Sequence, residues 1–231
     1  CMACQNACPR DAINVQINKA GNQYPVVDHS KCIQCGLCTK VCHLDKDFFS
    51  PRRSELVFAA WNTDKEIRRT SASGGIASAL YQYALDHGIH AFGVLYDRNK
   101  SAHYVEIKNK NDIDACRNSK YIVSNMNSVY STVRDYINNG EKVFFIGLPC
   151  HSAALLAFLG KRFEQLTIVD IVCHGTCSEQ YLEEHVKYIE KKKRTLINDI
   201  CFRDPKFGTN RFYLSMKNGK RTVYHAPVEW T

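Results

Sequence analysis

Beyond residue 70 the chain alternates between two hydrophobic periods. Ile76, Leu80, Tyr83 and Ala84 recur at helical spacing between Ser73-Gly74-Gly75 and a stop at Gly88, which predicts a helix over 76–87. Residues 89–96 and 103–108 read as strands, and 126–139 as a helix closed by Gly140. Two strand–turn–helix units follow. Residues 143–146 run through Gly147-Leu148-Pro149-Cys150-His151 into a helix over 152–159; residues 166–172 run through Cys173-His174-Gly175-Thr176-Cys177 into a helix over 178–191. Segments 211–217 and 220–225 flank Asn218-Gly219, a pair that supplies the positive φ angles of a two-residue hairpin turn. Strands alternating with helices predict an α/β domain over 71–231, with a mainly parallel sheet and a C-terminal β-hairpin.

The first 47 residues follow another pattern, with short strands expected at 13–17 and 25–28 between cysteine-rich loops. Cys32-Ile-Gln-Cys35-Gly-Leu-Cys38-Thr-Lys-Val-Cys42 is a complete C-x2-C-x2-C-x3-C run, and Cys1-Met-Ala-Cys4-Gln-Asn-Ala-Cys8-Pro9 is the last three-quarters of a second. This is the spacing of an α+β, bacterial-type ferredoxin domain with two [4Fe-4S] clusters. In such runs three cysteines hold one cluster and the fourth reaches across to the other. Cys8, Cys32, Cys35 and Cys38 then hold one cluster; Cys1, Cys4 and Cys42 hold the other, with a fourth ligand expected three residues before Cys1. The chain accordingly reads as a piece that begins inside its own motif. Zinc needs no further cysteine at x3, and a disulfide framework suits a smaller secreted domain. His43 stands where the first run has Pro9. A linker over 48–70 is expected, leaving the ferredoxin through Asp47-Phe-Phe-Ser-Pro-Arg-Arg53, with 56–61 as a strand or extended connector.

With 231 residues, 45% of them hydrophobic and 23% charged, the chain has material for a sizeable core. Its apolar stretches fall short of the roughly 18 residues a membrane helix needs. Thiolate-bound clusters and free thiols favour a reducing, cytoplasmic setting. Two thiolate-ligated clusters of about −2 each would cancel roughly half of the formal charge of +8. The basic residues are scattered rather than gathered with aromatics, which argues against a nucleic-acid partner. Lys191-Lys192-Lys193-Arg194 ends a predicted helix, where cations suit the dipole.

In open α/β sheets, ligands collect where the carboxyl ends of strands turn into helices. Both such turns carry Cys-His directly after an apolar strand, and Ser73-Gly74-Gly75 offers a third helix start suited to a phosphate. Each also has a plainer reading: an N-cap and turn for Ser-Gly-Gly, a buried thiol for Gly-Leu-Pro-Cys. Cys150, Cys173 and Cys177 could instead ligate a further cluster, though no x2 spacing accompanies them.

Ser71-Ala-Ser-Gly-Gly75, Arg117-Asn-Ser-Lys-Tyr121, Gly147-Leu-Pro-Cys150 and Asp170-Ile-Val-Cys-His-Gly175, in this order behind the ferredoxin run, resemble the family of coenzyme F420 hydrogenase/dehydrogenase beta subunits. The resemblance implies an iron–sulfur flavoprotein oxidoreductase that carries FAD on the α/β domain. Electrons would pass between clusters and flavin, then as hydride to or from coenzyme F420 or another organic acceptor. It places Ser73, Gly74, Gly75, Lys120 and Tyr121 at the flavin. Pro149, Cys150, His151, Cys173, His174 and Gly175 would line the cofactor or substrate side, with His151 or His174 as proton donor. It also implies a redox partner protein, such as a ferredoxin or a hydrogenase or dehydrogenase subunit, and a further C-terminal portion beyond Thr231. The competing expectation is a non-catalytic electron-transfer subunit without flavin.

Overall fold

The computed structural model describes residues 1–45, 55–97, 101–208 and 212–227, which form a two-stranded, a five-stranded and a three-stranded sheet. The N-terminal lobe comprises α1 (Ala3–Ala7), the antiparallel strands β1 (Ile13–Ile17) and β2 (Gln23–Val27), α2 (Leu37–Lys40) and a 3-10 turn, His43–Asp45. The internal repeat of the cysteine runs is visible in the backbone. Each short helix starts from a left-handed residue directly after the matching cysteine: Met2 (φ 56°) after Cys1 and Gly36 (φ 72°) after Cys35.

The five-stranded sheet has the order β5 (Ser124–Asn125), β4 (Ala102–Ile107), β3 (His90–Tyr96), β6 (Val143–Gly147), β7 (Leu166–Asp170). Every neighbouring pair is parallel except β3–β4, which makes the sheet mixed. Residues 97–101 are too few for a parallel crossover, which needs about a dozen, so β4 returns as a hairpin. Side-chain alternation along the strands builds two cores. Phe92, Tyr104, Val143 and Phe145 face α6 (Val129–Asn138) and α7 (Pro149–Leu159). Ala91, Ile107 and Ile146 face α4 (Ile76–Asp86) and α5 (Lys110–Cys116). A third core lies between α8 (Glu179–Lys193) and the antiparallel strands β8 (Asp199–Cys201), β9 (Tyr213–Asn218) and β10 (Arg221–Pro227).

Several boundaries differ from the sequence reading for local reasons. Helix α7 begins at Pro149, because a proline at the first helical position needs no N–H partner; Cys150 and His151 therefore lie on a helical turn. Strand β7 stops at Asp170, which leaves Val172 85% exposed in the following loop. The stretch expected as a linker holds a helix, α3 (Lys65–Thr70), whose N–H groups at Glu66 and Ile67 are capped by Asp64 at 2.8 and 3.0 Å. Residues 56–61 are an extended connector outside any strand. The expected exit over 47–53, and Arg211 at the start of the hairpin, lie outside the described residues.

The N-terminal lobe is joined to the α6/α7 face. Ala3 and Val41 are buried in the same core as Tyr130, Val133 and Leu155. Helix α1 rests on α6 and α7, and the 43–45 turn rests on α7. The Asn6 amide donates to the Asn127 carbonyl at 2.8 Å. At a second point, the β1–β2 turn presses Gly21 (φ 76°) against the start of α8, where a Cβ would come within 2.6 Å of Ser178 Oγ. Among the described residues no helix is long and apolar enough to cross a membrane.

Candidate functional site

Two sets of candidate residues can be placed, one in the N-terminal lobe and one along a sheet edge. In the lobe, Cys8, Cys32, Cys35 and Cys38 line a single cavity of about 190 Å³, together with Pro9, Ile13, Val27 and Gly36. Backbone N–H groups point at two of these sulfurs: Ala12 to Cys8 at 3.3 Å and Gln34 to Cys32 at 3.4 Å. Four thiols around one apolar-walled space, with N–H donors aimed at sulfur, fit an iron–sulfur cubane, whose charge such donors stabilise. Among the described residues no group of three or more His, Cys, Asp or Glu side chains is placed to hold a single metal ion. Cys1 and Cys4 lie at the α1 end of the lobe and Cys42 beside the 43–45 turn, with Cys1 Sγ 3.6 Å from His43 Nδ1. All the cysteines are free thiols, without disulfides.

The second set gathers along the edge where β3, β6 and β7 end. Helix α4 runs back into β3 through a short turn and packs on it, so its N-terminus at Gly75 lies at that edge. Helix α7 leaves β6 there, the 171–177 loop leaves β7 there, and β4 and β5 begin there. The 171–177 loop turns back across the edge. Cys177 bridges to Ile122, and both its N–H and its thiol donate to the Tyr121 carbonyl at 3.1 Å.

Two of the sequence motifs are tied together directly. Asn118, in a left-handed conformation (φ 71°), accepts from the Ala72 N–H at 2.6 Å and donates to the Thr70 carbonyl at 3.2 Å. Arg117 reaches Thr70 Oγ1 at 2.9 Å, and Ser78 and Asp114 besides. The glycine loop is thereby clamped from one side by residues 117–118 and from the other by the connector. Asn62 N–H donates to the Gly74 carbonyl at 2.7 Å, and a Cβ at Gly74 would meet the Ala60 carbonyl at 2.8 Å. Helix α4 starts at left-handed Gly75 with neither a side-chain cap nor an acidic residue in its first turn. Its leading N–H groups are those an anionic ligand would use.

Lys120 departs from the sequence reading. Its ammonium donates to the carbonyls of Cys116, Arg117 and Asn118 at 2.7, 2.9 and 3.0 Å, closing the end of α5, and burial pulls its pKa down to about 8. With all three protons engaged on backbone, it holds the turn that follows α5. Tyr121 is half-buried and stands edge-on to Phe202, with ring centroids 6.2 Å apart.

His151 and His174 fall in opposite settings. His151 is buried on the first turn of α7, with Nδ1 3.0 Å from Tyr104 Oη, and burial pulls its pKa down to about 4. His174 and Cys173 are exposed on the loop, with Gly175 at φ 119°. Partial burial pushes the Cys150 thiol up, and the nearby Cys173 pushes it the same way. The sequence reading gave no role to Tyr104, Asn118 or Tyr130. Asn118 had a local signal, an asparagine after a short helix where a left-handed residue is common; the two tyrosines had none.

Residues 1–45 match the 4Fe-4S dicluster domain, and residues 57–131 match the family described as coenzyme F420 hydrogenase/dehydrogenase, beta subunit N-term. Over 99% of its length the chain is 20% identical to one of the subunits of the F(420)H(2) dehydrogenase of Methanosarcina mazei, and it covers 66% of that protein. A chain of the F420-reducing [NiFe] hydrogenase complex from Methanosarcina barkeri aligns with 73% of this chain at 20% identity, with a TM-score of 0.48 and 58% of its own length covered. The chain thus spans less than two thirds of these relatives. In its first 45 residues the chain is similar to 4Fe-4S dicluster domains, and over residues 57–131 it is similar to the coenzyme F420 hydrogenase/dehydrogenase beta subunits.

Proposed function

We propose that the chain is the cluster-bearing part of an iron–sulfur flavoprotein oxidoreductase that exchanges electrons between [4Fe-4S] clusters and FAD and hydride with coenzyme F420 or another organic acceptor. The observation that carries this reading is the convergence on one sheet edge of the glycine loop, residues 117–121, the start of α7 and the 171–177 loop, with the ferredoxin lobe seated on α6 and α7.

In this reading Cys8, Cys32, Cys35 and Cys38 hold one cluster, and Cys1, Cys4 and Cys42 supply three ligands of the other. Ser73, Gly74 and Gly75 present backbone N–H groups to a pyrophosphate, while Asn118 fixes the loop that does so and Lys120 fixes Asn118. Tyr121 and Pro149 border the same edge. A bound flavin supplies the conversion between one-electron exchange and two-electron hydride transfer. His174, exposed beside Cys173, is the side chain able to pass a proton to a bound acceptor; His151 stays neutral on Tyr104 and orders the first turn of α7. The match to an F(420)H(2) dehydrogenase supports a deazaflavin as the acceptor or donor and a further redox subunit as partner. Thiolate-ligated clusters suit a reducing cytoplasm.

The test is iron, sulfide and acid-released flavin measured on one anaerobically purified sample of the full-length protein. About eight irons with stoichiometric FAD would support the reading. Iron without flavin, even after incubation with FAD, would leave an electron-transfer subunit.

A further inference from the structure

The two halves of the ferredoxin lobe are placed differently. The half built on Cys8, Cys32, Cys35 and Cys38 has its cavity lined only by residues 8–38, with Ile33 59% exposed at the rim and Cys35 exposed. In the half that carries Cys1 and Cys4, Cys1 is exposed as well, but the loop between these cysteines is held against the α6/α7 face. Ala3, between those cysteines, is buried against α6 and α7. The hydroxyl of Tyr130, itself fully buried, donates to the Cys1 carbonyl at 3.0 Å and lies 3.5 Å from the His151 carbonyl. One buried phenol therefore holds the Cys1–Cys4 loop beside the first turn of α7, the turn that carries Cys150 and His151 at the sheet edge.

We infer that Tyr130 is a positioning residue that fixes the Cys1–Cys4 half of the ferredoxin against the start of α7, making it the inner half, in contact with the sheet-edge site, and leaving the Cys8, Cys32, Cys35, Cys38 half as the outer one, open to a redox partner protein. This deepens the flavoprotein reading and rests on it for the identity of the edge site, but the seating itself belongs to the chain's own residues. Asn6 and Asn127 brace the same seam from α1, and Gly21 against Ser178 closes its far side.

The experiment is Tyr130→Phe in the full-length, anaerobically reconstituted protein. The ring is kept and only the hydroxyl removed. Amide hydrogen exchange at residues 1–8 is expected to speed up by roughly two- to tenfold, the worth of one neutral hydrogen bond, while residues 32–38 stay unchanged. In parallel, the inner cluster is isolated spectroscopically in a Cys35→Ala background. Its reduced-state paramagnetic resonance signal and midpoint potential are expected to move on Tyr130→Phe, whereas the signal that Cys35→Ala removes does not move when Tyr130→Phe is made alone. Asn6→Ala provides a second variant, expected to act in the same direction. Unchanged exchange at 1–8 with both cluster signals unmoved would overturn the inference, as would equal changes in both halves. Absence of flavin from the parent protein would sink the flavoprotein reading and leave these results standing, since neither readout uses flavin.

Discussion

The hydroxyl of Tyr104 lies 3.0 Å from Nδ1 of His151, inside the core beneath the Gly147-Leu148 turn. The approach depends on Gly147, where a Cβ would stand 2.7 Å from the same hydroxyl. The pair joins β4 to the first turn of α7 and leaves the imidazole neutral. Tyr104→Phe keeps the ring stacked on Phe145 (centroids 5.4 Å apart) but strands a buried imidazole nitrogen, which costs about 1–3 kcal/mol. Anaerobic denaturant unfolding of the holoprotein measures it, and a loss below about 0.3 kcal/mol would show that the nitrogen has another partner. The sign of the pH effect follows from the depressed pKa of about 4. Below about 6.5, the ordinary histidine value, the unfolded chain takes up a proton that the folded chain refuses. This pair's share of stability is therefore complete above that pH and declines from there to about pH 4.

How much of this was legible in the sequence depended on the range of the signal. The cysteine runs were legible because ligand spacing is local, and strands β3, β4, β6 and β7 because Phe92, Phe145 and their neighbours alternate with period two, whereas the two-residue β5 carried no pattern. Helix α5 was missed: in Lys110–Cys116 only Ile113 and Cys116 are buried, too few to show a period. Its capping box, Asn109 with Asp112, was the available signal. The start of α7 was misplaced because Pro149 reads as a turn residue as readily as a first helical one. Lys120 was set at the flavin by the family resemblance; the carbonyls that engage it exist only once α5 has ended. Tyr104 and His151 are 47 positions apart, and no periodicity reports such a pair.

At the opposite edge of the sheet His90 bridges two carboxylates, Glu106 at Nδ1 and Glu141 at Nε2, both at 2.7 Å, and stacks on Tyr136 at 3.6 Å. Desolvation pulls its pKa down, but the two carboxylates outweigh that and hold it above the ordinary value. A raised histidine pKa stabilises fully below about pH 6.5 and loses that contribution as pH climbs through the folded value. His90→Gln is expected to lower stability by about 1–2 kcal/mol at pH 6 and by less at pH 8.5. Unfolding of both proteins at the two pH values checks this; a gap that widens with pH would contradict it.

Asn118→Ala removes both bonds between residues 117–121 and the glycine loop and puts alanine where φ is positive. The expected cost is about 2–3 kcal/mol, with flavin content falling while iron content holds. Asn118→Gly relieves the backbone strain alone, so it should recover part of the stability without restoring flavin. Full flavin occupancy in both variants would separate the glycine loop from flavin binding.

Cys35 offers the sharpest test of the cluster assignment, because it lines the cavity with Cys8, Cys32 and Cys38 and is exposed, so its loss disturbs no core contact. Cys35→Ala in the full-length protein is expected to remove about four irons, one cubane's worth, and to leave the other cluster's signal in place. In the proposed crossed ligation Cys8 belongs to the outer cluster and Cys42 to the inner. Were each run to hold its own cluster, Cys42→Ala would remove the same signal as Cys35→Ala. Under crossed ligation Cys42→Ala removes the other one. Iron content and paramagnetic resonance on the two variants side by side decide between the schemes, and unchanged iron in Cys35→Ala after anaerobic reconstitution would rule out both.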